Sequence, residues 1–191
     1  MPTIVMVTFV ILGVIVLAVV GVAIWVMRGQ GKLVHAEELC GNALSQIGVQ
    51  QASRWDALTT LADLTKAYSD QEYKTLMDTI AARQGVGNKS SAAEVDTQEG
   101  MIQQGLGRVM AVAEAYPDLK SNTVYLKTMD EVKNYEEKVR ISRMVYNDTV
   151  TKYNRLVRSM PGSFLAGGLG FGPRDYLQDD PGKAGMPVMS R

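Results

Sequence analysis

The chain has 191 residues, 46% of them hydrophobic, and its 20 Lys plus Arg are balanced by 20 Asp plus Glu. A zero net charge, with bases interleaved among acids, provides no field for a nucleic-acid partner, and none is expected. One cysteine, Cys40, excludes an internal disulfide, and the single histidine, His35, leaves little material for nucleophilic or metal chemistry.

Residues Thr3 to Met27 are an apolar run with no charged side chain, in which Thr3 and Thr8 are the only hydroxyls. At ~1.5 Å rise per residue, about 24 residues give roughly 36 Å of helix, enough to cross a ~30 Å hydrocarbon core with some tilt. A cleaved secretory signal fits less well. It needs a basic start and a small-x-small cleavage site, whereas this chain begins Met1-Pro2-Thr3 and leaves the run through Trp25-Val26-Met27-Arg28. Trp25 suits the headgroup belt. Residues 1–28 are therefore expected to be a transmembrane anchor, with the lipid bilayer as first partner. Arg28 and Lys32 follow the run, and positive flanks stay inside. That places the N-terminus outside and the following domain in the cytoplasm.

Residues 29–162 read as one helical domain. Leu33, Ala36, Cys40, Leu44, Ile47, Trp55, Leu58 and Ala62 recur at helical spacing, with Leu61 beside them and Gln51 on the stripe. Cys40 reads as a small buried hydrophobe. Ser69-Asp70 offers a cap for a segment carrying Tyr73, Leu76, Met77 and Ile80, either a kinked continuation or a second helix. Gly85 to Asn88 ends it. Ser90 or Ser91 with Glu94 resembles a capping box opening a helix with Val95, Ile102, Leu106, Val109 and Val112. Gly100, Gly105 and Gly107 cost that helix about 1 kcal/mol each, which implies either close approach to a neighbouring backbone or fraying. Pro117 is expected to stop it, with a turn to Asn122.

The last long helix, about Asn122 to Met160, has Tyr125, Val132, Val139, Tyr146, Tyr153 and Met160 at sevenfold spacing. Met129, Glu136, Arg143, Val150 and Val157 form the complementary position. A sustained repeat of seven implies coiled-coil-like packing along a long bundle. The expected fold is all-α: a single N-terminal transmembrane helix followed by an elongated antiparallel three- or four-helix bundle. Residues 163–171, apolar and glycine-rich, either pack on the bundle end, touch lipid or meet a neighbouring protomer. Residues 172–191, with Pro173, Pro181 and Pro187, are expected to be a disordered tail.

The run Ala115-Tyr116-Pro117-Asp118-Leu119-Lys120-Ser121-Asn122, then Glu131, Glu136, Arg143, Tyr146-Asn147-Asp148, Val150 and Tyr153-Asn154, resembles the LemA family of bacterial membrane-anchored helical proteins. Pro161, Phe164-Leu165-Ala166 and Gly170-Phe171 resemble that family's closing segment. Residues of about 39–85 depart from the family's commoner pattern. The resemblance implies a single-pass protein of the bacterial plasma (inner) membrane with a helical bundle. It supplies no catalytic residues. Some relatives are associated with membrane remodelling or membrane proteases.

No catalytic, cofactor or metal site is expected. There is no G-x-S-x-G elbow, no phosphate-cradling loop and no paired Glu-x-x-His. Glu136 and Arg143 are charges on the packing seam, two turns apart, so each needs a partner from another helix. They read either as a polar layer fixing helix register or as a subunit contact. Tyr146 and Tyr153, each followed by Asn, read as seam rings with hydroxyls at the edge. The expected function is a non-enzymatic scaffold or interaction module that self-associates at the membrane as a homo-oligomer. The alternative is an accessory or adaptor subunit of an envelope complex, with other membrane proteins as partners.

Overall fold

The computed structural model describes residues 2–160 and 162–178; the side chains of 2–8 and 10 fall outside that description. Six helices are present among the described residues: α1 Pro2–Thr65, α2 Asp70–Ala81, α3 Ala92–Ala115, α4 Pro117–Lys120, α5 Thr123–Arg158 and α6 Gly162–Leu169. No strand occurs among them. The apolar run and the following amphipathic stripe belong to one continuous helix, α1. No proline interrupts it after Pro2, and its glycines leave the hydrogen-bond ladder unbroken.

Local chemistry sets the helix ends. Ser69 caps α2, its hydroxyl accepting from the Glu72 N–H, so α2 is a new helix rather than a kinked continuation of α1. Ser91 and Glu94 form a reciprocal capping box on α3, at 3.2 and 2.9 Å. Pro117 does end α3, but the expected turn after it is the short helix α4. Proline's fixed φ suits a first helical position, where its missing N–H costs nothing. The Asn122 Oδ1 then accepts from the N–H groups of Val124 and Tyr125, opening α5.

The chain forms two compact units. Residues 39–150 and 175–191 make the larger one, of which 179–191 are outside the described residues. Its core joins Trp55, Leu58 and Leu61 of α1 to Leu76 and Ile80 of α2, Ile102, Leu106 and Val109 of α3, Leu119 of α4, and Tyr125 and Val132 of α5. Each such side chain contributes about 1.5–3 kcal/mol on burial. Burial pushes the Tyr125 phenol up from its ordinary pKa, and the Glu114 carboxylate adds to this. Close approach is specific to particular glycines. Gly105 faces the Leu58 side chain, whereas Gly100 and Gly107 face open space, and α3 is continuous through all three. On α1, Gly41 lies under Asn88 and Gly48 under the Val86 carbonyl.

The smaller unit comprises residues 1–38 and 151–174. Leu33, Tyr153, Val157 and Ala166 are buried, and Leu165 of α6 sits over Gly29 of α1. From Ile11 to Met27 the large apolar side chains of α1 are exposed. This helix contains an apolar window of mean hydropathy 2.5, long and apolar enough to cross a membrane.

The α5 seam residues Tyr125, Val132, Val139, Tyr146 and Tyr153 are all buried, as is Val150. Met160 lies beyond the end of α5 and is 71% exposed. Residues 172–178 differ from the expected disordered tail. They form an extended segment with Leu177 buried, held by side chains of α5. The rest of that expected tail, 179–191, lies outside the described residues.

Candidate interaction surface

Two polar constellations stand out, and α5 contributes side chains to both. The first is built around Arg54. Successive turns of α1 put Gln51 and Arg54 on the buried stripe, where the Arg54 side chain is 1% exposed. Its Nη1 donates to Glu99 of α3, and its Nη2 donates to Glu136 of α5 at 3.4 Å. Gln51 Nε2 donates to the Val95 carbonyl at 3.1 Å and to Glu99 at 3.3 Å, and Gln103 Nε2 donates to Glu99 at 3.2 Å. Glu99 thus gathers the donors and supplies most of the countercharge. Glu136, with its side chain 51% exposed, completes the network from the rim.

A buried ion pair contributes less to net stability than its Coulomb attraction suggests, because both charges lose hydration. What it does well is penalise every other register. Sliding α3 or α5 past α1 would leave Arg54 charged, buried and unpaired. Arg54 Nε, Gln51 Oε1 and Trp55 Nε1 are buried with no hydrogen-bond partner among the described residues, so the network is already incompletely satisfied.

The second constellation holds the extended segment. In the smaller unit, Tyr153 donates to the Gly172 carbonyl at 2.9 Å. Asn154 donates to the Arg174 carbonyl at 2.9 Å and accepts from the Arg174 N–H at 2.8 Å. In the larger unit, Tyr146 donates to the Asp175 carbonyl at 3.1 Å. Asn147 donates to the Leu177 carbonyl at 3.1 Å and accepts from the Leu177 N–H at 3.0 Å. The same clip therefore occurs twice. An Asn amide completes a two-bond bridge to one peptide unit's residue, much as a neighbouring strand would, and the preceding Tyr takes the carbonyl two residues earlier.

The repeat has a simple arithmetic. Seven residues of helix rise about 10.5 Å, and three residues of extended chain advance about 10 Å. A Tyr-Asn pair every seven residues is thus in step with an extended peptide every three. Arg143 adds a further hold, pairing with Asp96 of α3 at 2.6 Å and donating to the Gln178 carbonyl. The Gln178 N–H donates to the other Asp96 oxygen at 3.2 Å.

Of the four residues singled out in the sequence, Glu136 meets Arg54, while Arg143, Tyr146 and Tyr153 meet the extended segment or the helix beside it. They do not converge on one site. Sequence reasoning missed Asp96 and Glu99 as partners, and read Asn147 and Asn154 only as companions of their tyrosines. The Tyr-Asn repeat was the available signal.

An amide bridge that closes the segment should be separable from the core. Asn154→Ala is expected to raise the amide exchange rate at Arg174 by about tenfold or more, since two partly buried hydrogen bonds are lost at roughly 1 kcal/mol each. Asn147→Ala should do the same at Leu177. Unchanged protection at both amides in hydrogen-exchange NMR would show that the segment is held by other contacts.

A groove of about 510 Å³ is lined by Ser53, Asp56, Thr60, Lys127 and Glu131 among others, with neither His nor Cys. No group of three His, Cys, Asp or Glu side chains stands together as a metal site among the described residues.

The described residues define an all-helical protein with an N-terminal helix long and apolar enough to cross a membrane. The LemA family profile matches residues 43–188, and the chain belongs to the LemA family. That match includes most of the region of about 39–85 that departs from the commoner pattern. Among characterised proteins, the chain is similar to the magnetosome proteins MamQ 1 and MamQ 2 of Paramagnetospirillum magneticum, each 32% identical over 83 residues. It is also similar to magnetosome protein MamQ of Magnetospirillum gryphiswaldense, 29% identical over 83 residues. These matches span 44% of this chain and 30% of each relative.

Proposed function

We propose that this chain is a non-enzymatic, single-pass protein of a bacterial plasma membrane whose helices form an antiparallel bundle acting as a self-associating interaction module. The observation that carries the reading is that α1 holds two kinds of surface on one helix. Its first part exposes apolar side chains from Ile11 to Met27, and its later part gives Trp55, Leu58 and Leu61 to the core. Exposed apolar surface of that extent is costly in water and matches the length of a bilayer crossing. Confinement to a membrane plane raises effective concentration, so weak lateral contacts suffice for assembly.

Arg28 and Lys32 support an outside N-terminus and a cytoplasmic domain. Native electrophoresis after mild detergent extraction, with crosslinking in intact membranes beforehand, tests self-association. A ladder of this chain alone is the expected result. Stoichiometric foreign subunits would instead favour an accessory role in an envelope complex, and a monomer under both conditions would overturn the proposal. Protease access in intact cells and in spheroplasts tests the sidedness.

A further inference from the structure

Helix α6 and the basic end of α5 have a use that the anchor alone does not explain. Gly162–Leu169 reads Gly-Ser-Phe-Leu-Ala-Gly-Gly-Leu, eight residues with no charge. Ala166 is buried and Leu165 packs over Gly29, one residue beyond the first charge after the apolar run. Phe164, roughly 100° around the helix from Leu165, is 71% exposed, and Leu169, one turn beyond Leu165 on the same side, is still 41% exposed. Met160, just before α6, is also exposed. In water this would be an unusual way to spend a phenylalanine.

The position of the contact says what covers it. Gly29 follows Arg28, and Trp25 lies one turn earlier with 43% of its surface exposed. If Thr3 to Met27 crosses a bilayer, Gly29 sits at the headgroup level. A helix packed on Gly29 then lies at the same depth. The charges nearby have the sign that a bacterial bilayer surface favours. Arg28, Lys32, Lys152, Arg155 and Arg158 are exposed in this unit, and two of them form the last turn of α5. Its described acids are Glu37 and Glu38, and Glu37 is paired with Arg174 at 3.1 Å. Exposed apolar side chains on a short uncharged helix, next to the basic last turn of α5, are the pattern of an interfacial membrane contact.

We infer that α6 is a second membrane-contacting element, inserting Phe164 and Leu169 among the headgroups of anionic lipid while Arg155 and Arg158 meet their phosphates. The inference rests on the proposed span, because the span sets the depth of Gly29. Tethering makes the α6 contact effectively intramolecular, so two apolar side chains and a few charges are enough. Gly29 lets Leu165 seat against α1 without a Cβ in the way.

The test uses the full chain reconstituted in vesicles of phosphatidylcholine with phosphatidylglycerol, some carrying bromine on the acyl chain near the headgroup. Trp25→Phe/Trp55→Phe/Phe164→Trp leaves one indole, on α6, and a Leu169→Trp version in the same background gives a second reporter. Trp55→Phe alone leaves Trp25 as the reporter of the span. The expected result is loss of emission on bromination, with a blue shift, for Trp25 and for both α6 reporters. Removing phosphatidylglycerol, or introducing Arg155→Glu/Arg158→Glu, should weaken quenching of the α6 reporters and leave that of Trp25 intact. Quenching of Trp25 without quenching of either α6 reporter would overturn the inference and spare the anchor. No quenching of any of them would overturn both.

Discussion

Arg54→Ala should destabilise the helical domain by about 3–5 kcal/mol, the cost of stranding a buried countercharge. The expectation follows from asymmetry within the network. Arg54 is 1% exposed and Glu99 14% exposed at the side chain, so removing the guanidinium leaves the Glu99 carboxylate with only the Gln51 and Gln103 amides. Replacing both partners together, as Arg54→Met/Glu99→Met, should recover most of that loss, because neither charge then has to be desolvated. Glu136→Lys is expected to cost much less than Arg54→Ala, because the Glu136 side chain is half exposed and the rim is screened by water. Equilibrium denaturation followed by Trp55 emission and helical circular dichroism reads all three. A loss for Arg54→Ala no larger than that for Glu136→Lys would mean that the buried pair does not set the register.

Gly48→Ala and Gly100→Ala should act in opposite directions, although each swaps a helical glycine for the best helix former. At Gly48 an added Cβ would run into the Val86 carbonyl, a backbone group that cannot turn aside. The loop must move, and overpacking of this kind costs about 1–3 kcal/mol, more than the helix propensity gained. At Gly100 nothing lies within reach of a new Cβ, so the substitution should stabilise α3 by about 0.5–1 kcal/mol. Melting temperatures of the two variants, measured side by side in the same detergent, decide the matter. A stabilised Gly48→Ala would show that the 84–90 loop does not rest on α1.

The helices were legible because their signals are local. Ser91 with Glu94, Pro117, and the sevenfold recurrence of Tyr125, Val132, Val139, Tyr146 and Tyr153 are all readable within a few turns of chain. The continuity of the apolar run with the first helix of the domain was not. α1 runs unbroken from Pro2 to Thr65 because polarity changes at Arg28 without any residue that breaks a helix. The charged seam positions were visible as anomalies that needed partners on another helix. Asp96 could not be found for Arg143, since that pairing depends on how α3 and α5 align. The extended segment was missed for a different reason. Pro173 and nearby glycines look like a tail, and what orders residues 172–178 is backbone hydrogen bonding to Asn147 and Asn154. Composition carries no trace of that, although the Tyr-Asn repeat does. Gly41 and Gly48 were passed over among α1's many small residues, whereas the conspicuous Gly100 and Gly107 face nothing.

Every functional statement above depends on lipid solvating the first part of α1. The direct measurement is flotation of native membranes after washing with alkaline carbonate, coupled to N-terminal sequencing of the recovered protein. The chain should remain with the floated bilayer and retain the residues before Met27. Release into the wash, or a mature chain that starts beyond Met27, would contradict it.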